Sequence, residues 1–165
     1  MAVRSGVTGQ TGAMTTTQTV TRTINAPAAQ IFDLLSNPER HTEFDGSGFL
    51  RSAVKPQRIS AVGDTFRMDM EGAHMGGEYQ VDNHVTGFQP NTLIAWKTAP
   101  AGTEPPGWEW MYELKADGSD RTDVTLTYDW THVTDKELLK KVGFPLVSED
   151  AMESSLASLA AAVNG

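Results

Sequence analysis

The sequence predicts a single α+β domain in which a curved antiparallel sheet packs against a long C-terminal helix. From about residue 49 to 131, apolar and polar residues alternate with the period of β-strands. No helical stretch lies between these strands to carry a parallel crossover, so neighbouring strands are expected to be antiparallel. The chain then ends in an amphipathic helix whose apolar stripe comprises Met152, Leu156, Leu159 and Val163.

The elements that precede this region are one strand and two short helices. Residues 17–25 alternate and predict a strand, and residues 26–35 carry a helical apolar stripe. Asn37 is expected to cap a second short helix that has Pro38 in its first turn. The glycines within residues 44–48 should end that helix.

Six strands are expected between residues 49 and 131, separated by turns that contain glycine, proline or asparagine. Their sequences are FLRSAV, DTFRMDM, GEYQVDNHV, TLIAWK, WEWMYELK and DVTLTYDW. The connector over residues 98–107 holds three prolines and predicts a semi-rigid flap. Sheets of six or seven strands curl because strands twist, which leaves a concave side for the last helix.

The C-terminal region predicts two helices with separate capping residues. Thr134 and Glu137 fit a capping box for a short helix that Gly143 should end. Ser148 is expected to cap the final helix. About sixteen residues at 1.5 Å rise give that helix a length of roughly 24 Å, enough to cross the sheet.

Composition excludes several classes of protein. The 165 residues include 39% hydrophobic and 21% charged residues, which suits one folded domain. The formal net charge of -8 repels phosphate backbones and anionic lipids, so nucleic acid is not an expected partner. There is no cysteine, so thiolate chemistry is excluded and a reducing cytoplasm is the expected location. No apolar run approaches the ~18 residues that stable membrane insertion requires.

The N-terminal segment differs from the remainder of the chain. Residues 1–16 are rich in Gly, Thr and Ser and lack the apolar core of a signal peptide, so they are expected to form a flexible tail. Residues 17–165 then form the single domain. Since ordered patterning begins after Met14, either Met1 or Met14 could be the natural start. The sequence contains no internal repeat and no signal for a particular oligomeric state.

Several segments together resemble a known superfamily. They are TRTINAPAAQIFDLLSNPERHTEFDGSG, GDTFRMDM, NTLIAW followed by WMYEL, and TLTYDWT. Their order is similar to the helix-grip fold of START and birch-pollen-allergen-like proteins, the SRPBCC superfamily. More narrowly, it resembles the bacterial polyketide cyclase/dehydrase and lipid-transport-like members. The resemblance spans about residues 17 to 163 and implies a cavity between sheet and long helix for a lipid, sterol, polyketide or aromatic compound. It supplies no fixed catalytic signature, and the two histidines and carboxylate of a Rieske-oxygenase iron site are not found.

The segment FRMDMEGAHM could form either a metal site or an apolar wall. In a strand, Phe66, Met68 and Met70 share one face, whereas His74 and Met75 fall in the following turn, off that face. A copper(I) site would need the thioethers to converge, but alternate strand residues stand parallel and apart. Because methionine adapts to irregular apolar surfaces, the segment is interpreted as a wall. We expect no metal and no cofactor.

Aromatic residues on other strands could fill the core or line the same cavity. Small residues on the flanks of the last helix favour a cavity, because they leave volume beneath the sheet. The predicted apolar lining consists of Phe66, Met68, Met70, Trp110, Tyr112, Tyr128, Met152 and Leu156.

Polar residues on the inner faces should orient the ligand. Tyr79 and Asn83 share the inward phase of their strand, and Asn83 could bind a ligand or another protein group. His84 is on the opposite phase and should face solvent. His41, Glu43 and Asp45 form an H-x-E-x-D pattern, interpreted as a solvated helix end, with an acid–base or metal role as the alternative.

These patterns predict a protein that binds or carries a hydrophobic small molecule. The alternative is a polyketide cyclase, aromatase or dehydratase, which needs an acid and a base within the cavity. That alternative becomes the stronger one if His41, Asp45 or His84 projects into the cavity beside a tyrosine. A third class, a module whose groove grips a partner peptide, requires an open groove with a broad exposed apolar patch.

Overall fold

The computed structural model describes residues 15–164, and the predicted α+β fold class is confirmed. The strands are β1 (Thr17–Ile24), β2 (Leu50–Val54), β3 (Thr65–Gly72), β4 (Gly77–Gln89), β5 (Leu93–Pro100), β6 (Glu109–Ala116) and β7 (Thr122–Asp129). The helices are α1 (Ala28–Leu35), α2 (Lys136–Lys141) and α3 (Glu149–Asn164), with a first 3₁₀ helix (Pro38–Glu43) and a second 3₁₀ helix (Ala73–Met75). The expected tail and the alternative start at Met14 lie outside the described residues, except for residues 15 and 16.

The seven strands form one antiparallel sheet in the order β1-β7-β6-β5-β4-β3-β2. Strands β2 to β7 follow one another as hairpins, and β1 pairs with the last strand, with Thr17 opposite Asp129. Bulges interrupt the pairing of β2 with β3 and of β4 with β5. Such bulges bend a sheet locally, which contributes to its curvature.

Alternation along each strand separates a buried face from an exposed one. In β7, Val124, Leu126 and Tyr128 are buried, whereas the residues between them are only partly covered. On the outer face, Thr19 and Thr21 of β1 contact threonines of β7 across the pairing. The buried faces of the sheet and of α1 and α3 form one continuous core.

Helix α3 begins and packs as its sequence predicts. Ser148 Oγ accepts a hydrogen bond from Ala151 N at 3.1 Å, which is an N-cap bond. Met152, Leu156 and Leu159 are at most 1% exposed. Apart from Ser155, which is buried, the small residues on the flanks are exposed or only partly buried, so they do not enclose the empty volume that was expected. Within residues 15–164, no helix is long and apolar enough to cross a membrane.

Two predicted boundaries are corrected by the structure. Strand β5 continues to Pro100, which pairs with Val81, so the expected flap is shortened to residues 101–108. Asp82 holds the start of this loop, since its carboxylate accepts from Gly102 N at 2.8 Å and from Arg67 at 2.7 Å. Helix α2 is capped by Asp135 rather than Thr134. The Asp135 side chain accepts from two backbone N–H groups of the first turn.

Candidate functional site

A cavity of about 260 Å³ lies between the concave face of the sheet and the segments that cover it. Strands β2 to β7 provide most of its wall. The first 3₁₀ helix and the loop after it close one side, and α2 with residues 142–147 closes another. Among the lining residues Met75, Pro100 and Lys141 are exposed, so they mark where the cavity meets solvent.

The structure brings most of the predicted lining residues together. Those that line the cavity are Phe66, Met68, Met70, Tyr79, Asn83, Trp110, Tyr112 and Tyr128. Met152 and Leu156 do not line it. They are buried at 0% and 1% exposure in the core between α3 and the sheet, and α3 reaches the cavity through Ser155 instead.

The turn after β3 lies closer to the cavity than expected. His74 and Met75 both line it, because the second 3₁₀ helix folds the chain back over the wall. The His74 ring packs against Phe49 at 4.8 Å between centroids, and its Nε2 lies 3.4 Å from the Tyr79 hydroxyl. Within residues 15–164, no three His, Asp or Glu residues are grouped so as to hold a metal ion.

Two aromatic surfaces face the cavity. Trp110 and Tyr128 stack in parallel, with centroids 4.1 Å apart and planes 1° from parallel. Trp96 stacks on His41 at 5.3 Å and lies 6.0 Å from the Tyr112 ring. Flat aromatic walls of this kind provide large apolar contact areas for a planar ligand.

His41 is buried at 4% exposure on the cavity side of the first 3₁₀ helix, which corrects its expected solvation. Burial lowers the pKa of His41 to about 4, although a bond to the Leu35 carbonyl acts in the opposite direction. That bond runs from Nε2 to the Leu35 oxygen at 2.8 Å. Because a carbonyl only accepts, Nε2 carries the proton of the neutral ring and Nδ1 keeps the lone pair.

Asp45 also lines the cavity, so its expected solvation is wrong as well, whereas Glu43 is exposed as expected and pairs with Arg40. Burial raises the pKa of the Asp45 carboxyl, and hydrogen bonds from Ser47 and the Leu50 backbone partly offset this effect. Ser47 Oγ donates to Asp45 Oδ2 at 2.6 Å. The site therefore contains a desolvated carboxyl group.

The loop that carries Asp45 is fixed to α3. Gly46 N donates to Ser155 Oγ at 2.7 Å, a contact between residues 109 positions apart. A Cβ atom on Gly46 would lie 2.5 Å from Ala151 O and 2.8 Å from Ser155 N. Only glycine allows this approach of the two backbones.

Two tyrosines share the cavity with Asp45. Burial raises the pKa of Tyr112 and of Tyr79, and the charge of Asp45 raises both further. Phe44, the neighbour of Asp45, packs edge-on against Tyr112 with centroids 6.1 Å apart. Both hydroxyls are therefore protonated donors near the carboxyl group. Among the side-chain hydrogen bonds of residues 15–164, none involves the Tyr112 hydroxyl.

Asn83 is 5% exposed and points into the cavity, and its predicted inward orientation is therefore observed. Its Oδ1 accepts from Thr98 Oγ1 at 2.6 Å, which leaves the amide N–H groups as donors. His84 lies on the other face, half-buried and away from the cavity. The polar groups of the cavity are thus mainly donors, with one carboxyl group.

Comparisons with known proteins agree with this geometry. The family model described as Activator of Hsp90 ATPase homolog 1-like protein matches residues 25–164. The uncharacterized protein Rv0088 of Mycobacterium tuberculosis is 30% identical over 141 residues, which cover 82% of this chain. The match spans 59% of the length of that relative.

Solved structures share the fold at low sequence identity. Protein CV1439 from Chromobacterium violaceum has a TM-score of 0.67 at 17% identity, and the match covers 92% of this chain and 99% of that one. The ZhuI aromatase/cyclase from a Streptomyces species has a TM-score of 0.62 at 13% identity, with 90% and 93% covered. These likenesses show the helix-grip fold alone and agree with the SRPBCC superfamily expected from the sequence. The chain belongs to the Activator of Hsp90 ATPase homolog 1-like family of that superfamily.

Proposed function

We propose that this protein binds an apolar small molecule in the cavity between the sheet and the segments that cover it. The observation that carries the proposal is the concave, aromatic and methionine-rich wall, which has a minority of polar groups directed inward. Small-molecule sites typically combine an apolar surface with a few placed polar groups. Burial of the ligand would supply ~25 cal/mol per Å² before the costs of association.

The dimensions of the cavity favour a compact ligand. Its volume of about 260 Å³ lies just below the ~300–1,000 Å³ that is typical of small-molecule sites. A long acyl chain or a sterol would exceed this volume, whereas a compound of two fused rings matches the size of the Trp110 indole, which Tyr128 covers on one face. Among lipids, polyketides and aromatic compounds, a bicyclic aromatic compound is therefore the preferred ligand.

The polar groups favour a ligand with an acceptor oxygen. Tyr112 and Asn83 have N–H or O–H donors that are not used by side-chain partners within the described residues. A ketone or hydroxyl oxygen on the ligand would accept from them. Leaving such donors unpaired on binding would cost about 1–3 kcal/mol each.

Tryptophan fluorescence provides the test of binding, because Trp96, Trp108 and Trp110 all line the cavity. Titration with 2-naphthol or 2-tetralone should quench the emission with saturation, and native mass spectrometry should show one ligand per chain. The W110A variant should bind at least ~10-fold more weakly, since it loses the stacking surface. V62A, at an exposed position, is the control. Absence of saturable binding by both compounds would contradict the proposal.

Acid–base catalysis is the second candidate function, and Asp45 is the observation that favours it. This carboxyl group lines the cavity beside Tyr112 and Tyr79, which is the arrangement that the enzyme alternative requires. The fold shared with an aromatase/cyclase agrees with this candidate. The position of Asp45 in the cavity therefore favours an enzyme over a carrier that catalyses no reaction.

Activation of a partner ATPase, which the family description names, is less well supported by the surface. Within residues 15–164 the large exposed apolar side chains are Val62, Met75 and Leu139, each on a different segment. A groove that grips a peptide would need a broad apolar patch. The concave cavity, which is partly open to solvent, favours a small molecule instead.

A further inference from the structure

We propose that Asp45 is a catalytic residue that moves a proton between two positions of a bound cyclic ketone, with Tyr112 as the donor to the ketone oxygen. This inference rests on the proposed binding function and assigns a reaction class to the same cavity. The substrate class is an enolisable bicyclic ketone.

The position of Asp45 allows contact with a ligand. Its side chain lines the cavity, and one carboxyl oxygen is bonded to Ser47 Oγ at 2.6 Å. Ser47 Oγ in turn accepts from Phe49 N at 3.2 Å, which orients its hydroxyl proton toward Asp45. The carboxyl group also accepts backbone hydrogen bonds from Ser47 and Leu50, and among residues 15–164 no side chain other than Ser47 donates to it.

The loop that carries the carboxyl group is held in place by α3. The bond from Gly46 N to Ser155 Oγ fixes the adjacent peptide to α3, and the backbone contact at Gly46 prevents the loop from sliding. Proton transfer depends on such fixed geometry, because donor and acceptor must lie within hydrogen-bond reach. Gly46 and Ser155 are therefore positioning residues.

Tyr112 supplies the group that stabilises negative charge. Tyr112 is buried and lines the same cavity as Asp45, and its raised pKa keeps the hydroxyl protonated. A neutral donor in a dry site stabilises an enolate oxygen better than water does. Tyr79 is a second donor, although its hydroxyl also lies 3.4 Å from His74 Nε2.

The reaction needs no additional reagent. The Asp45 carboxylate removes a proton from the carbon next to the ketone, so a C–H bond breaks and its electron pair forms the enolate. Tyr112 keeps its proton and donates a hydrogen bond to the enolate oxygen. The Asp45 carboxylic acid then either exchanges its proton with solvent and protonates the same carbon, or delivers the proton to a conjugated carbon, and both routes regenerate the carboxylate. The net change is an exchange or a shift of one hydrogen.

His41 is not assigned this role. Its Nε2 is used by the Leu35 carbonyl, and burial leaves the ring a weak base. Raised basicity of Asp45, by contrast, improves proton abstraction from carbon. The buried His41 and the half-buried Asp45 of the H-x-E-x-D pattern therefore differ in function.

Hydrogen–deuterium exchange at carbon tests the inference. We would incubate 2-tetralone with the full-length protein in D₂O and follow loss of its C1 methylene signal by proton NMR. The wild type should accelerate exchange at least ~10-fold over buffer, within the ~10²–10⁴-fold range of general acid–base catalysis. D45N should fall to the buffer rate and Y112F at least ~10-fold below the wild type. E43Q, which removes the exposed carboxylate of the same segment, should keep the wild-type rate.

A pH profile provides a measurement that needs no variant. The accelerated rate should fall as pH decreases through a pKa that lies above the ordinary aspartate value of 3.8. Binding of 2-naphthol, followed by tryptophan fluorescence, separates the two proposals. If D45N binds and still exchanges at the wild-type rate, or if the wild type binds 2-tetralone without accelerating exchange, the inference is overturned and the binding proposal stands. If neither compound binds, the binding proposal fails and the inference fails with it.

Discussion

The imidazole of His41 illustrates how burial sets the charge of one side chain. The ring is enclosed by Phe44, Phe66 and Trp96, with centroids 5.1 to 5.4 Å away. A charged ring would lose its hydration there and gain only the Leu35 carbonyl in return. The folded protein therefore binds this proton less readily than the unfolded chain does.

This difference predicts a loss of stability in mild acid. The pKa of His41 is about 4 in the folded state and 6.5 in the unfolded state, so unfolding takes up a proton between these values. The contribution of neutral His41 to the free energy of unfolding is fully present above pH 6.5 and is lost as the pH falls toward 4. Relative to H41Q, the wild type should lose on the order of 3 kcal/mol across this window, as measured by denaturant unfolding.

H41Q is the matched variant because its amide can donate to the Leu35 carbonyl without titrating. Asp45 is present in both proteins, so its contribution to the pH dependence of the free energy of unfolding cancels in the difference. That contribution has the opposite sign because the pKa of Asp45 is raised on folding. A free-energy difference that stays constant from pH 7 to pH 4 would show that His41 is not desolvated.

Period-two alternation was enough to place some site residues and not others. Asn83, Tyr79 and Tyr112 were predicted to face inward because strand residues alternate faces in a fixed way. His41 and Asp45 lie in a 3₁₀ helix and the loop after it, where no such rule applies, and polarity alone suggested solvent. The buried Phe44 between them was the one local signal that this segment folds inward.

At the level of elements, the contact between the loop at Gly46 and α3 predicts a strong effect of one methyl group. In G46A the new Cβ would meet backbone atoms Ala151 O and Ser155 N, which cannot rotate away. The loop must separate from α3, at a cost of about 1–3 kcal/mol, the usual range for overpacking. Thermal unfolding should therefore give a lower Tm for G46A than for the wild type.

G143A is the control for this substitution, since a Cβ at Gly143 meets nothing within 4 Å. The Tm of G143A should be close to that of the wild type, because its free energy of unfolding should differ by less than about 1 kcal/mol. Equal Tm values for G46A and wild type would show that the loop can move off α3 freely. In that case Asp45 would also lack the fixed position that its assigned role needs.

The two C-terminal helices show that an apolar stripe on a helix does not by itself predict which residues line a cavity. The stripe of Met152 and Leu156 correctly marks the buried side of α3 but does not specify which elements lie against it. The structure places the core there, and α2 with residues 142–147 covers the cavity instead. Those segments are short and lack periodicity, so their location depends on tertiary packing.

At the scale of the whole molecule, charge predicts a preference among ligands. The net charge of -8 and the carboxyl group of Asp45 disfavour an anionic ligand, and among the described residues that line the cavity Lys141 is the only lysine or arginine. At low salt, 2-naphthol should bind at least ~10-fold more tightly than 2-naphthoate, because a carboxylate would be desolvated with only the exposed Lys141 as a cationic partner. Isothermal titration calorimetry would measure both affinities.

Added salt and one variant serve as controls for this preference. The difference in affinity between 2-naphthol and 2-naphthoate should decrease as ionic strength rises, because the Debye length falls to about 10 Å at 0.1 M. K141Q should weaken only 2-naphthoate. Equal affinities of the two compounds at low salt would contradict this account of the cavity.

The pairing of β1 with β7 joins residues that are about one hundred positions apart, as in Thr23 opposite Asp123. During synthesis on the ribosome, β1 therefore cannot pair with β7 until nearly the entire domain has been synthesised. Closing so long a loop carries a large entropic cost and slows folding. Until then the apolar residues Val20 and Ile24 would stay uncovered, so nascent chains should depend on chaperones more than hairpin-only sheets do.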